Sequence, residues 1–218
     1  LRGADSRFHP GRRSAGIAFD APSVRAERLA EALRVLKGLF TGEPFTFAGR
    51  HYAVTGLQSF PTPLQRPHPP LLVGGSGNRM LSIAAQEADI IGIQTVLTAT
   101  GTVSQDPTLR SAETIRRKTD LVRQVAGKRF NEIELSTVAS IAVTDDRRAT
   151  AEQFARDRGW SGISAEQILA MPSVFIGSVD AIVTEMQERR GRYGFSYYVV
   201  FGHAMPHAAP VVNCLAGR

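Results

Sequence analysis

Pro69-Pro70-Leu71-Leu72-Val73-Gly74-Gly75-Ser76-Gly77-Asn78-Arg79-Met80 is the stretch on which the reading of this chain turns. Two prolines close a loop. Leu71 to Val73 form a short apolar run of the kind that becomes a buried strand. Gly74, Gly75 and Gly77 make a turn with little side-chain bulk, and from Asn78 the apolar spacing becomes helical through Met80, Leu81, Ala84 and Ala85. A strand, a glycine turn and a helix start form a place where phosphate is held, because backbone N–H groups at the helix N-terminus point at the anion. The same pattern also describes an ordinary tight turn in any parallel-sheet protein, and both readings stand at this point.

Outward from this stretch, the pattern alternates. Upstream, Ser23 caps an expected helix whose stripe is Leu29, Leu33, Leu36, Leu39 and Phe40, ended by Thr41-Gly42. Phe45 to Phe47 and His51 to Val54 predict a β-hairpin around Ala48-Gly49-Arg50. The connector from Phe60 to Pro70 holds five prolines, so it is extended. Downstream, the expected order is a strand at Ile90–Gln94, a long loop to Thr108, and a helix over Leu109–Ala126. A strand over Glu134–Val143 follows, then helices over Arg147–Asp157, Ser164–Ala170 and Val179–Tyr193. A strand at Phe195–Phe201 and a helix from Pro210 to Ala216 end the chain. Such alternation predicts an α/β protein with about four parallel strands and right-handed crossovers.

Composition bounds the function. The chain has 218 residues, 43% of them hydrophobic, enough for one sizeable core and read here as a single domain over 1–218. Residues 1–22 read as an irregular segment and 44–70 as a hairpin with a proline-rich insertion. No run approaches a membrane span. One cysteine, Cys214, fits a reducing, cytoplasmic setting and a small buried hydrophobe. The formal charge of +6 is spread over helix faces without a nucleic-acid motif, so no nucleic-acid partner is expected. Leu1 rather than Met opens the sequence, which reads as a fragment of a longer protein or a processed or miscalled start.

Gln65 to Leu81, with Ala84-Ala85 and Ala88-Asp89, resembles the luciferase-like monooxygenase superfamily, most closely its probable coenzyme F420-dependent oxidoreductases. Arg28 to Leu33, Leu39 to Gly42, Phe47 to Tyr52 and Gly177-Ser178 resemble other pieces of that family in the same order. The resemblance implies a TIM (β/α)8 barrel with an inserted hairpin. Because this chain offers about four strands, it implies an incomplete barrel, matching the second half. It also implies that Gly74, Gly75, Ser76 and Gly77 hold a cofactor phosphate, with Asn78 and Arg79 at the helix start. Gln94 and Thr95 would face the barrel mouth. Arg79 reads equally as a solvated helix residue, and Gln94 and Thr95 as a polar strand end. The implied activity is hydride transfer or monooxygenation on a small organic substrate, with F420, alternatively FMN, as cofactor. The catalytic residues stay unassigned. The alternative is a non-catalytic half-barrel that pairs with itself or another chain through exposed sheet edges.

Other chemistry is weakly signalled. His203 and His207 stand at metal-ligand spacing, but Pro206 lies between them and no third ligand is evident, so no metal is expected. His51 and His68 read as structural. No nucleophile elbow, Walker motif or CxxC pair is present.

Overall fold

The computed structural model describes residues 20–93, 104 and 106–216. Most of the irregular segment expected over residues 1–22, both Gln94 and Thr95, and most of the expected 95–108 loop lie outside these residues.

Helix α1 spans Pro22–Phe40. It starts one residue before the expected Ser23 cap, with Ala21 in the capping position. Proline serves well there, because its fixed φ suits the first turn and its missing N–H would have had no partner. Strands β1 (Phe45–Ala48) and β2 (Ala53–Leu57) form the antiparallel hairpin. The second strand begins later than expected. The N–H groups of Arg50, His51 and Tyr52 donate to the Glu31 carboxylate of α1 at 2.9, 2.8 and 3.0 Å, so these residues form the turn instead of pairing with β1. Gly49 permits the approach, since a Cβ there would fall 2.4 Å from Glu31 Oε2.

The sheet follows. Strands β3 (Leu72–Gly75), β4 (Ile90–Ile93) and β5 (Glu134–Val138) lie side by side, all parallel. The last strand of the chain, β8 (Phe195–Val199), pairs with the far side of β5, giving the order β3-β4-β5-β8. Helix α2 (Asn78–Glu87) links β3 to β4, and helix α3 (Ala112–Ala126) precedes β5. Leu81, Val122, Ile91, Leu135 and Phe195 are buried where these helices meet the sheet. The expectation of four parallel strands with helices is met by this sheet.

Between β5 and β8 the chain departs from expectation. The run Glu134–Val143 is broken at Ala139, and its second part is a separate strand, β6 (Ser140–Val143). Ala139 donates its N–H to Val199 at 2.8 Å, and the next N–H, of Ser140, goes to Ser173 at 2.8 Å. Strand β6 then pairs in parallel with β7 (Val174–Gly177). The sequence predicts a helix to Ala170 and no strand between it and Val179. Four residues are too few for a period to register, and all four are buried, so no alternation betrays them.

Helices α4 (Arg147–Asp157), α5 (Ala165–Leu169) and α6 (Val179–Tyr193) surround that pair. Ser164 closes a reciprocal capping box with Gln167, and the Ser178 hydroxyl accepts from Ala181 N–H. Arg189 of α6 reaches under β7. It donates to the carbonyls of Val174 and Leu169 at 2.5 and 2.9 Å and stands 4.3 Å from the Phe175 ring centre. Helix α7 (Met205–Leu215) begins five residues before the expected Pro210, which lies inside it. Among the described residues the strands form no closed barrel. The fold is an incomplete α/β barrel with an inserted hairpin.

Candidate functional site

The site is built where β3 becomes α2. Leu71 fixes the start of β3, because its N–H donates to the Asp89 carboxylate at 2.8 Å and its carbonyl accepts from Asp89 and Ile90 N–H. Arg129 holds the other end of α2 by donating to the carbonyls of Ala85 and Ala88 at 3.0 and 2.5 Å. Helix α2 is thus fixed against the sheet at its C-terminal end, and its N-terminus projects from the end of β3.

The turn itself is tight at one glycine and open at another. A Cβ on Gly75 would lie 2.9 Å from Met80 Cβ, closer than real Cβ atoms approach, so the first helical turn can fold back over the strand end only with glycine there. A Cβ on Gly77 would meet nothing within 4 Å. Gly77 is the helix cap, with φ −90° and ψ 153°, and no side chain caps the helix. Its carbonyl accepts the Leu81 N–H at 3.0 Å. The preceding N–H groups, of Asn78, Arg79 and Met80, have no acceptor within the helix by its geometry and carry the positive end of its dipole. Gly74, Gly77, Asn78 and Arg79 are exposed, and Ser76 is half-buried.

Arg79 does not turn toward this N-terminus. Its guanidinium pairs with Glu27 of α1 at 2.9 Å. Glu27 also meets Arg50 and His51 of the hairpin turn, each at 3.2 Å. The hydrogen bonds from His51 and Arg79, with the nearby guanidinium charges, hold the Glu27 carboxyl below its usual value. A cleft of about 490 Å³ lies between the first turns of α1 and α2, lined by Ala26, Leu29, Gly77, Arg79 and Met80.

Of the sequence-predicted residues, Gly74 to Arg79 therefore share one turn. Gln94 and Thr95 lie outside the described residues, and Ile93, the last described residue before them, is paired with Gly75. The tie between Glu27 and Arg79 has no signal in the sequence, since nothing local links residues 52 apart. Of residues 74–80 only Arg79 is titratable, so the turn can bind an anionic oxygen but has little means to move a proton.

The described histidines beyond His51 are accounted for by packing. The His207 Nδ1 accepts from Val143 N–H at 3.1 Å, and His203 stacks on Phe201 at 6.1 Å. His68 Nδ1 bonds the Pro69 carbonyl at 2.9 Å. Among the described residues no three His, Cys, Asp or Glu side chains converge as a metal site, and no helix is long and apolar enough to cross a membrane.

Comparison with solved structures gives the same architecture. An F420-dependent secondary alcohol dehydrogenase in complex with an F420-acetone adduct matches with a TM-score of 0.57 and 16% identity, over 87% of this chain and 59% of its own. The coenzyme F420-dependent tetrahydromethanopterin reductase from Methanopyrus kandleri matches at 0.58 and 14%, over 86% of this chain and 61% of its own. The EDTA monooxygenase from Chelativorans sp. BNC1 matches at 0.64 and 13%, over 97% of this chain and 64% of its own. The chain thus spans about three-fifths of the length of these proteins. The likeness is one of fold, with identities this low. The luciferase-like monooxygenase profile matches residues 8–194, most of the sequence, and the chain belongs to that family.

Proposed function

We propose that this chain carries the phosphate-anchoring part of a flavin- or deazaflavin-dependent oxidoreductase, with F420 as cofactor and FMN as the alternative, acting on a small organic molecule in the cytoplasm. The observation that carries the reading is the turn from Gly74 to Arg79, where an uncapped helix N-terminus rises over a strand end that only glycine at position 75 allows. The residues present fit a phosphate: backbone donors converge there, and no acidic side chain occurs between Gly74 and Met80. When bound, the cofactor supplies the redox chemistry. This chain supplies the backbone donors of Ser76 to Met80 and a floor formed by β3 and β4. The Arg79–Glu27 pair holds α1 beside the turn, so the cleft between α1 and α2 keeps its shape.

Titration of the chain with F420 and, separately, with FMN, followed by cofactor fluorescence, tests this. Saturable binding of either supports the reading. A folded chain that binds neither up to about 1 mM, the weak limit of useful affinity, sinks it.

A second reading is favoured by one observation. Strand β3 has a single neighbour among the described strands, and Leu72 on it is 49% exposed. A non-catalytic half-barrel that associates with itself through this edge is consistent with that. Sedimentation over a range of concentrations separates the two, because a monomer throughout removes the self-association reading.

A further inference from the structure

A second concave site lies past the C-terminal ends of β4 and β5, where they and β7 approach α4. Its volume is about 240 Å³. Ile93, Val138, Val174 and Phe154 give it apolar walls, and the guanidinium groups of Arg110 and Arg158 enter it. Arg110 ends a single turn of 3-10 helix over Pro107–Arg110, and Arg158 follows the last residue of α4. Two separate segments thus bring like charges to one aromatic ring: Arg110 stands 5.3 Å and Arg158 5.7 Å from the centre of Trp160.

The charge is poorly compensated. No carboxylate among the described residues lies within ion-pair distance of either guanidinium. The Arg110 Nε is buried without a hydrogen-bond partner. Arg158 donates one bond, to the Phe154 carbonyl at 3.3 Å, and its guanidinium carbon stands 3.4 Å from the Phe154 ring centre. Burial lowers the proton affinity of both guanidiniums, and the Arg158 charge lowers that of Arg110 further, while the neighbouring Asp157 offsets part of the effect at Arg158. Buried Lys118 feels the Arg110 charge as well. Stacking on Phe154 and Trp160 accounts for part of this arrangement. It leaves unexplained why two guanidiniums converge on a cavity with a buried donor unused. Like charges drawn together in a partly desolvated site are stabilised by an anion between them.

We propose that this pocket binds a small organic anion, with a carboxylate or phosphate head held by Arg110 and Arg158 and an apolar body against Ile93, Val138 and Val174. Thr137, Ser140 and Ser173 also line it and supply hydroxyl groups near the head. At about 240 Å³ the cavity is below the range typical of drug-sized ligands, so the body is a few carbons long. None of residues 74–80 lines it, although Ile93 is the strand partner of Gly75.

Trp160 is the only tryptophan in the chain and reports on both guanidiniums. The full chain, without cofactor, is titrated with butyrate, butyl phosphate, butyramide and inorganic phosphate while Trp160 fluorescence is followed. Butyrate or butyl phosphate is expected to give a saturable change, with butyramide silent and inorganic phosphate weaker. Arg110→Gln and Arg158→Gln should each weaken the response about tenfold or more, as loss of a charge-assisted contact does. Equal responses to butyrate and butyramide, or none to either anion, overturn the proposal. Inorganic phosphate binding as tightly as butyl phosphate overturns the organic-ligand assignment. If a variant does not fold, the comparison of butyrate with butyramide on the unaltered chain decides. Failure here leaves the F420 and FMN titrations standing, because none of residues 74–80 lines this pocket.

Discussion

Glu27 and Arg79, 52 residues apart in sequence, meet at 2.9 Å and join the first turns of helices α1 and α2. The same carboxylate receives Arg50 and His51 from the hairpin turn, so one side chain ties three elements beside the glycine turn. All of these groups are partly open to water, which limits what each pair contributes to stability.

Acid should expose this tie. The hydrogen bonds from His51 and Arg79 keep the folded Glu27 carboxyl below the ordinary 4.5, so folding favours its ionised form. Its contribution is whole above the unfolded value and is lost as pH falls through the folded one. Melting temperatures of the wild type and Glu27→Gln, compared across pH, should differ most near neutrality and converge below 4.5. A gap that is constant with pH would show that the ion pairs are not its source.

The two glycines of the turn should respond differently to the same change. Gly75→Ala places a methyl 2.9 Å from Met80 Cβ, an atom held close to the helix backbone, and should cost about 1–3 kcal/mol as an overpacked site. It should also weaken F420 or FMN binding by about tenfold or more, since the donors must shift. Gly77→Ala meets open space at an ordinary extended φ and should keep its melting temperature. Thermal melts and cofactor titrations of the two variants check this.

Phe175 is fully buried on β7, edge-on to Tyr198 at 5.3 Å and beneath the Arg189 guanidinium at 4.3 Å. Phe175→Ala should destabilise the chain by about 3–5 kcal/mol in chemical denaturation, because it opens a cavity and leaves Arg189 without its ring. Phe175→Leu, which keeps most of the volume, should cost clearly less.

Ser164→Ala removes a capping box on a helix of five residues. The expected loss is about 1 kcal/mol, read as a lowered denaturation midpoint with an unchanged slope. Gln167→Ala, which removes the reciprocal half, should cost no more than that.

Much of this was legible in sequence because it is local. The glycine turn and the sheet-forming runs at Leu72, Ile90 and Phe195 announce themselves within a few residues. What was missed depends on distant partners. Strand β7 is four buried residues whose neighbour lies more than thirty residues earlier, and the long run from Glu134 shows no outward sign of being divided between two partners. His51 and Tyr52 look like strand residues, and only the Glu31 carboxylate of α1 makes them a turn. The convergence of Arg110 and Arg158 on Trp160 likewise follows from tertiary packing.

The division at Ala139 has a consequence for how the chain tolerates change in length. Two successive N–H groups are committed to two different partners, Val199 of β8 and Ser173 just before β7, with no spare residue between them. An inserted or deleted residue there would turn every side chain of β6 to the opposite face, setting Ile141 against the cluster that Ala142 now packs on and Ala142 in the place of Ile141. The loops on either side can lengthen without such loss. Position 139 therefore acts as a fixed origin from which both halves of the run are measured, and variation in length among relatives should stop short of it.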